Sequence, residues 1–106
     1  MTKRELRLTA EASANLAALE STPAKGGILK QVRKTLGLME TNLRHPSLST
    51  HKYDSVHGPN GEEVFEAYVQ NRTPGAYRIF FVYGPDRREG KKRVPVLTII
   101  AITPHP

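Results

Sequence analysis

The sequence contains no cysteine and no tryptophan, and the first absence bounds its chemistry before any motif is read. Without a thiol there is no disulfide framework, no thiolate metal site and no cysteine nucleophile; this suits a reducing compartment, and a cytoplasmic location is expected. Long apolar runs are lacking too. The longest, around Val94 to Ile102, is far short of the roughly 20 residues that a membrane-spanning helix needs. Met1-Thr2-Lys3-Arg4-Glu5-Leu6 turns polar at once and leads into no apolar segment, so no signal peptide is expected. Acidic residues are the minority charge: ten Asp and Glu against sixteen Lys and Arg, a net +6 over 106 residues. That surplus favours polyanions or an acidic protein partner through long-range attraction. The charge is uneven, with Arg87, Arg88, Lys91, Lys92 and Arg93 clustered in one short segment. There are no internal repeats and no low-complexity segment. The length implies one domain over residues 1–106 with a real but modest core.

What is present reads as a short strand, two helices and three further strands. Arg4-Glu5-Leu6-Arg7-Leu8 alternates polar and apolar, as an edge strand does, and Thr9 with Glu11 behind it is a helix start. Ala12, Leu16 and Leu19 recur at helical spacing up to about Glu20. Thr22-Pro23 supplies an N-cap and first-turn proline for a second helix. Its apolar stripe is Ile28, Val32, Leu36, Met39 and Leu43, and His45-Pro46 ends it. Residues 46–61 are polar and turn-rich, which predicts a long loop carrying His51 and His57, and long ordered loops are often functional. His45, His51 and His57 are spaced six apart, which matches no metal-ligand pattern, and no metal or other cofactor is expected.

Glu63–Asn71 alternates as a strand with Phe65, Ala67 and Val69 as its core set, so Glu66, Tyr68 and Gln70 face the other way. Thr73-Pro74-Gly75-Ala76 carries a type II turn signal, which makes an antiparallel hairpin with Tyr77–Tyr83. A three-residue loop pairs 70 with 78 and puts Glu66, Tyr68 and Gln70 on the face of Arg78; a two-residue loop puts Phe65 and Val69 there instead. The first keeps apolar residues together and is the reading adopted. With Tyr77, Ile79, Phe81 and Tyr83 inward, Arg78 is held out on a rigid sheet, either as a phosphate receptor or in an ion pair with a neighbour such as Glu66. The basic segment follows as a hairpin tip, and the near-continuous apolar run to Ile102 predicts a strand buried on both faces.

This order, β-α-α-β-β-β with an antiparallel sheet packed on two N-terminal helices, is an α+β architecture. Together with the stretches LTAEASANLAAL, RHPSL, VFEAYVQN, AYRIFFVYG and VLTIIAITPHP, it resembles the RelE/ParE superfamily of type II toxin–antitoxin toxins over nearly the whole chain. The resemblance implies a fold like that of small microbial ribonucleases and a translation-inhibiting, metal-independent mRNA endoribonuclease acting by 2′-OH attack on the scissile phosphate. It assigns Arg78 to that phosphate, His105 to proton transfer as acid or base, and Glu66 and Tyr68 to supporting catalytic positions, with Glu66 as a base. His51 and Lys52 fall where relatives recruit further groups, and Arg87, Arg88, Lys91, Lys92 and Arg93 become RNA-binding residues. The implied partners are a cognate acidic antitoxin in a hetero-oligomer, mRNA and the ribosome, with no membrane. The paired lysines of the best-known nuclease relatives have no counterpart before Arg78, so two alternatives stay open: a ParE-like DNA gyrase inhibitor, and a catalytically inactive binding protein of the same fold.

Overall fold

A computed structural model describes residues 3–70 and 76–104. In chain order these form β1 (Glu5–Leu8), α1 (Ala10–Glu20), α2 (Gly26–Thr41), β2 (His51–His57), β3 (Glu63–Tyr68), β4 (Tyr77–Tyr83), β5 (Arg87–Glu89), β6 (Lys92–Val94) and β7 (Val96–Pro104). Single 3₁₀ turns at Pro23–Lys25 and Pro46–Leu48 flank α2. The class is α+β: two helices, a five-stranded sheet in the order β1-β7-β4-β3-β2, and a separate two-stranded ribbon of β5 and β6. The sheet is mixed where the sequence reading expected it antiparallel, because β1 runs parallel to β7 while the other neighbours are antiparallel. None of the helices among the described residues is long and apolar enough to cross a membrane.

Local chemistry accounts for the helix ends. Thr9 caps α1, its hydroxyl accepting from the Ala12 N–H at 3.2 Å. Thr22 caps nothing; its hydroxyl turns back to donate to the Ala18 carbonyl at 2.7 Å, so a 3₁₀ turn precedes α2 instead of a capped start. α2 stops at Thr41, short of His45-Pro46. Its apolar stripe meets the sheet as the spacing requires, with Val32 and Met39 buried and Ile28, Leu36 and Leu43 packed around them.

Two apolar clusters lie on opposite sides of the sheet. The larger, under the helices, contains Ala12, Leu19, Met39, Ile79, Phe81 and Ile99; the smaller, on the open face, is built on Val64, Phe80 and Val82. A β-bulge explains the unbroken apolar run in β7. Phe80 pairs with Ala101 but Phe81 with Ile99, so one extra residue is inserted at Ile100. Ile99 and Ile102 can then both face the helices, while Ile100 and Ala101 both pack on the open face. α1 docks on this irregularity: the Thr9 N–H donates to the Ile99 carbonyl at 3.0 Å, and the Ile102 N–H donates to Asn15 Oδ1 at 2.9 Å.

The segment read as a loop holds a strand. β2 pairs with β3 through His51↔Glu66, Lys52↔Phe65 and Tyr53↔Val64, and is almost entirely exposed at the sheet edge. Its polar residues suit an edge that must not recruit another strand. The β3–β4 register also differs from expectation by two residues: Tyr68, not Gln70, stands opposite Arg78. A shift of two preserves the faces, so Glu66 and Tyr68 share the side of Arg78, as in the three-residue-loop register and not the two-residue one. The turn signal at 73–76 falls mostly outside the described residues.

The β5–β6 ribbon turns at Gly90, whose φ of 64° suits a residue without a Cβ. Glu5 ties it to the sheet, with its Oε1 accepting from Arg87 Nε and Nη2 at 3.0 Å each. That bond is the main reason the Glu5 carboxyl lies below its ordinary pKa; desolvation opposes it and Arg7 adds to it. A carboxyl lowered in the folded state contributes stability that is whole above its unfolded pKa and lost as pH falls through the folded one. Ribbon amides, corrected for intrinsic exchange, are therefore expected to lose protection below about pH 4. Glu5→Gln should flatten this acid limb, and identical pH profiles for the two proteins would remove the tie from the account.

Candidate functional site

Strand register gathers the site on the open face. His51 stands beside Glu66, and Tyr68 beside Arg78, which in turn neighbours Thr103. The sequence places Arg78 out on the sheet surface; the structure buries it to 9% exposure. Nor does it pair with Glu66. Its Nη1 donates to the main-chain carbonyls of Gln70 (2.7 Å) and Tyr77 (3.2 Å), and its guanidinium carbon lies 3.8 Å from the centroid of the Tyr68 ring. Among the described residues Arg78 forms no ion pair, and its Nε has no hydrogen-bond partner. A charge removed from water costs several kcal/mol or more. Two neutral carbonyls and one ring face offset part of that without cancelling the charge. What remains is a fixed positive centre with donor capacity to spare, suited to an oxyanion.

Glu66, read from the sequence as facing outward, is 1% exposed and pairs with His51 across the edge of the sheet, Oε1 to Nε2 at 2.7 Å. The other ring nitrogen, Nδ1, is 2.7 Å from the Ser49 carbonyl. A carbonyl can only accept, so Nδ1 carries a proton, and the contact with Glu66 holds a second proton between Nε2 and the carboxylate. Ser49 is set in the left-handed region (φ 43°, ψ 44°), uncommon for a residue with a Cβ, and this local conformation presents its carbonyl to His51. The imidazole meets the Tyr68 ring edge-on at 5.4 Å and 76°. His51, Glu66, Tyr68 and Arg78 thus form one chain of contacts: a shared proton at one end, an aromatic ring between, a guanidinium at the other.

Other sequence candidates do not converge there. Lys52 alternates to the opposite face and bonds Glu63 at 3.1 Å; that hydrogen bond, then the charges of Glu63 and Asp54, hold its ammonium above the ordinary lysine pKa. The basic ribbon lies past the far end of β4, where Tyr83 is about 17 Å from Arg78 along an extended strand. Two of its five cations are engaged, Arg87 with Glu5 and Arg93 with Asp86 at 3.1 Å, whereas Arg88, Lys91 and Lys92 form no ion pair among the described residues. His105 lies outside the described residues. Sequence reasoning missed the main-chain carbonyls of Ser49 and Gln70, which position His51 and Arg78; no side-chain pattern marks a carbonyl acceptor. No group of three or more metal-ligating side chains occurs among the described residues.

Comparisons with family models, with curated proteins and with solved structures found no match.

Proposed function

We propose that this chain is the toxin of a type II toxin–antitoxin pair, of RelE/ParE-like fold, and that it stops translation by cleaving mRNA at a site built on Arg78. The observation that carries the reading is a guanidinium buried on a sheet face with no carboxylate partner among the described residues, next to a buried carboxylate that shares a proton with a histidine. A structural arginine in that position calls for a counter-ion. A phosphate-binding one needs the anion to arrive with the substrate.

The chemistry follows from these groups. The ribose 2′-OH attacks the adjacent phosphorus and passes its proton to the Glu66 carboxylate, which the His51 Nε2–H holds in place. Arg78 stabilises the charge that develops on the non-bridging oxygens, and Tyr68 fixes the plane of its guanidinium. The P–O5′ bond then breaks, giving a 2′,3′-cyclic phosphate and a 5′-hydroxyl. The proton for the departing oxygen comes from His105, the one histidine on the far side of β7 in sequence. Atoms and charge balance without a redox or metal step. The net charge of +6 supports both a polyanionic substrate and an acidic antitoxin.

The test is direct. Purified protein incubated with single-stranded RNA in EDTA, and separately with mRNA on intact ribosomes in Mg²⁺ buffer, should yield 5′-hydroxyl products in at least one of the two, and a single 2′-deoxy substitution at the cleavage site should abolish cleavage there. Persistent cleavage at the 2′-deoxy position would exclude 2′-OH attack. Growth arrest accompanied by DNA damage and intact mRNA would favour the gyrase-inhibitor reading.

A further inference from the structure

A concavity lies on the helix side of the sheet, between the end of α2 and the start of β2. Its volume is about 490 Å³, and its walls include Arg4, Arg44, His45, His51, Phe65 and Tyr83. Tyr83 is 45% exposed, one of two large apolar side chains so open among the described residues. Its ring meets Phe65 edge-on at 5.0 Å and has the Arg4 guanidinium 5.7 Å from its centroid. Neither Arg4 nor Arg44 forms an ion pair among the described residues, although six of the other Lys and Arg side chains do. His45 accepts the Ser47 N–H on Nδ1, so a neutral ring keeps its proton on Nε2 as a donor.

We infer that this cleft is a subsite for a nucleotide some positions along the strand from the one held at Arg78, with the base on the Tyr83 ring and its phosphates at Arg4 and Arg44. An exposed aromatic ring bordered by unpaired guanidinia is what binding of single-stranded nucleic acid uses, since every base has a π-face and every nucleotide carries a phosphate. His51 makes the two regions neighbours: it lines this cleft and also bonds Glu66. The inference rests on the reading of the open sheet face as a single-stranded RNA site and adds a path for the strand around the start of β2. It also gives the exposed part of the Tyr83 ring a stacking partner.

The test uses the full chain and a fluorescent 2′-O-methyl RNA hexamer, whose blocked hydroxyl prevents cleavage, with anisotropy measured over a salt series. Tyr83→Ala should weaken binding about tenfold, the loss of one base–aromatic stack. Arg44→Gln, at an exposed position just past the end of α2, should lower the slope of log affinity against log salt by about 0.7, the value of one phosphate contact on a single strand. Hexamer binding that Arg78→Met weakens but Tyr83→Ala and Arg44→Gln leave unchanged in affinity and slope would overturn the cleft alone. No hexamer binding by the wild-type protein would overturn the RNA reading and the cleft with it.

Discussion

Arg78→Met is expected to slow RNA cleavage by about 10²- to 10³-fold, the usual loss when one fixed donor to a developing oxyanion is removed. Stability should change little. Removing a buried arginine normally unfolds a small domain because a carboxylate is left behind, but Arg78 leaves none among the described residues. Methionine fills similar volume and lifts the desolvation penalty, while the carbonyls of Gln70 and Tyr77 lose their donor. These terms oppose each other, so Tm should stay within about 5 °C of wild type. Thermal denaturation beside a single-turnover cleavage assay separates the two effects. A large drop in Tm with activity per folded molecule unchanged would make Arg78 a structural residue.

The second large effect concerns the Glu66–His51 pair. Glu66→Gln and His51→Ala should each lower the rate by about 10²- to 10⁴-fold, the range of one general acid–base contribution. Because the two hold a single proton between them at 2.7 Å, the double variant should be hardly slower than either single one. Additive losses would mean two separate roles. Wild-type rates in either single variant would remove the pair from the proton path.

Much of this was legible in the sequence, for identifiable reasons. Thr9 and the stripes on both helices could be read because capping and the 3.6-residue period are local, and β3, β4 and β7 because their residues are β-branched and aromatic. β2 was hidden, since an exposed edge strand of the composition HKYDSVH is chemically indistinguishable from a loop until β3 is placed beside it. The parallel seating of β1 on β7 and the bulge at Ile100 are long-range choices that no local pattern contains. The candidate site divides along the same line. Alternation together with the grouping of apolar residues put Glu66, Tyr68 and Arg78 on one face, but the Glu66–His51 contact needed β2, and the burial of Arg78 needed the register that sets it over Tyr68.

The central claim is that Arg78 receives a phosphate on the open face, and its Nε–H, without a partner among the described residues, is the reporter. In a ¹⁵N-resolved NMR titration with a 2′-O-methyl RNA tetramer, the Arg78 Nε–H signal should move downfield and saturate, and the Tyr68 and His51 ring signals should follow the same binding curve. A tetramer that binds with those three signals unmoved, shifting only the Arg88, Lys91 and Lys92 ribbon, would contradict a phosphate site at Arg78.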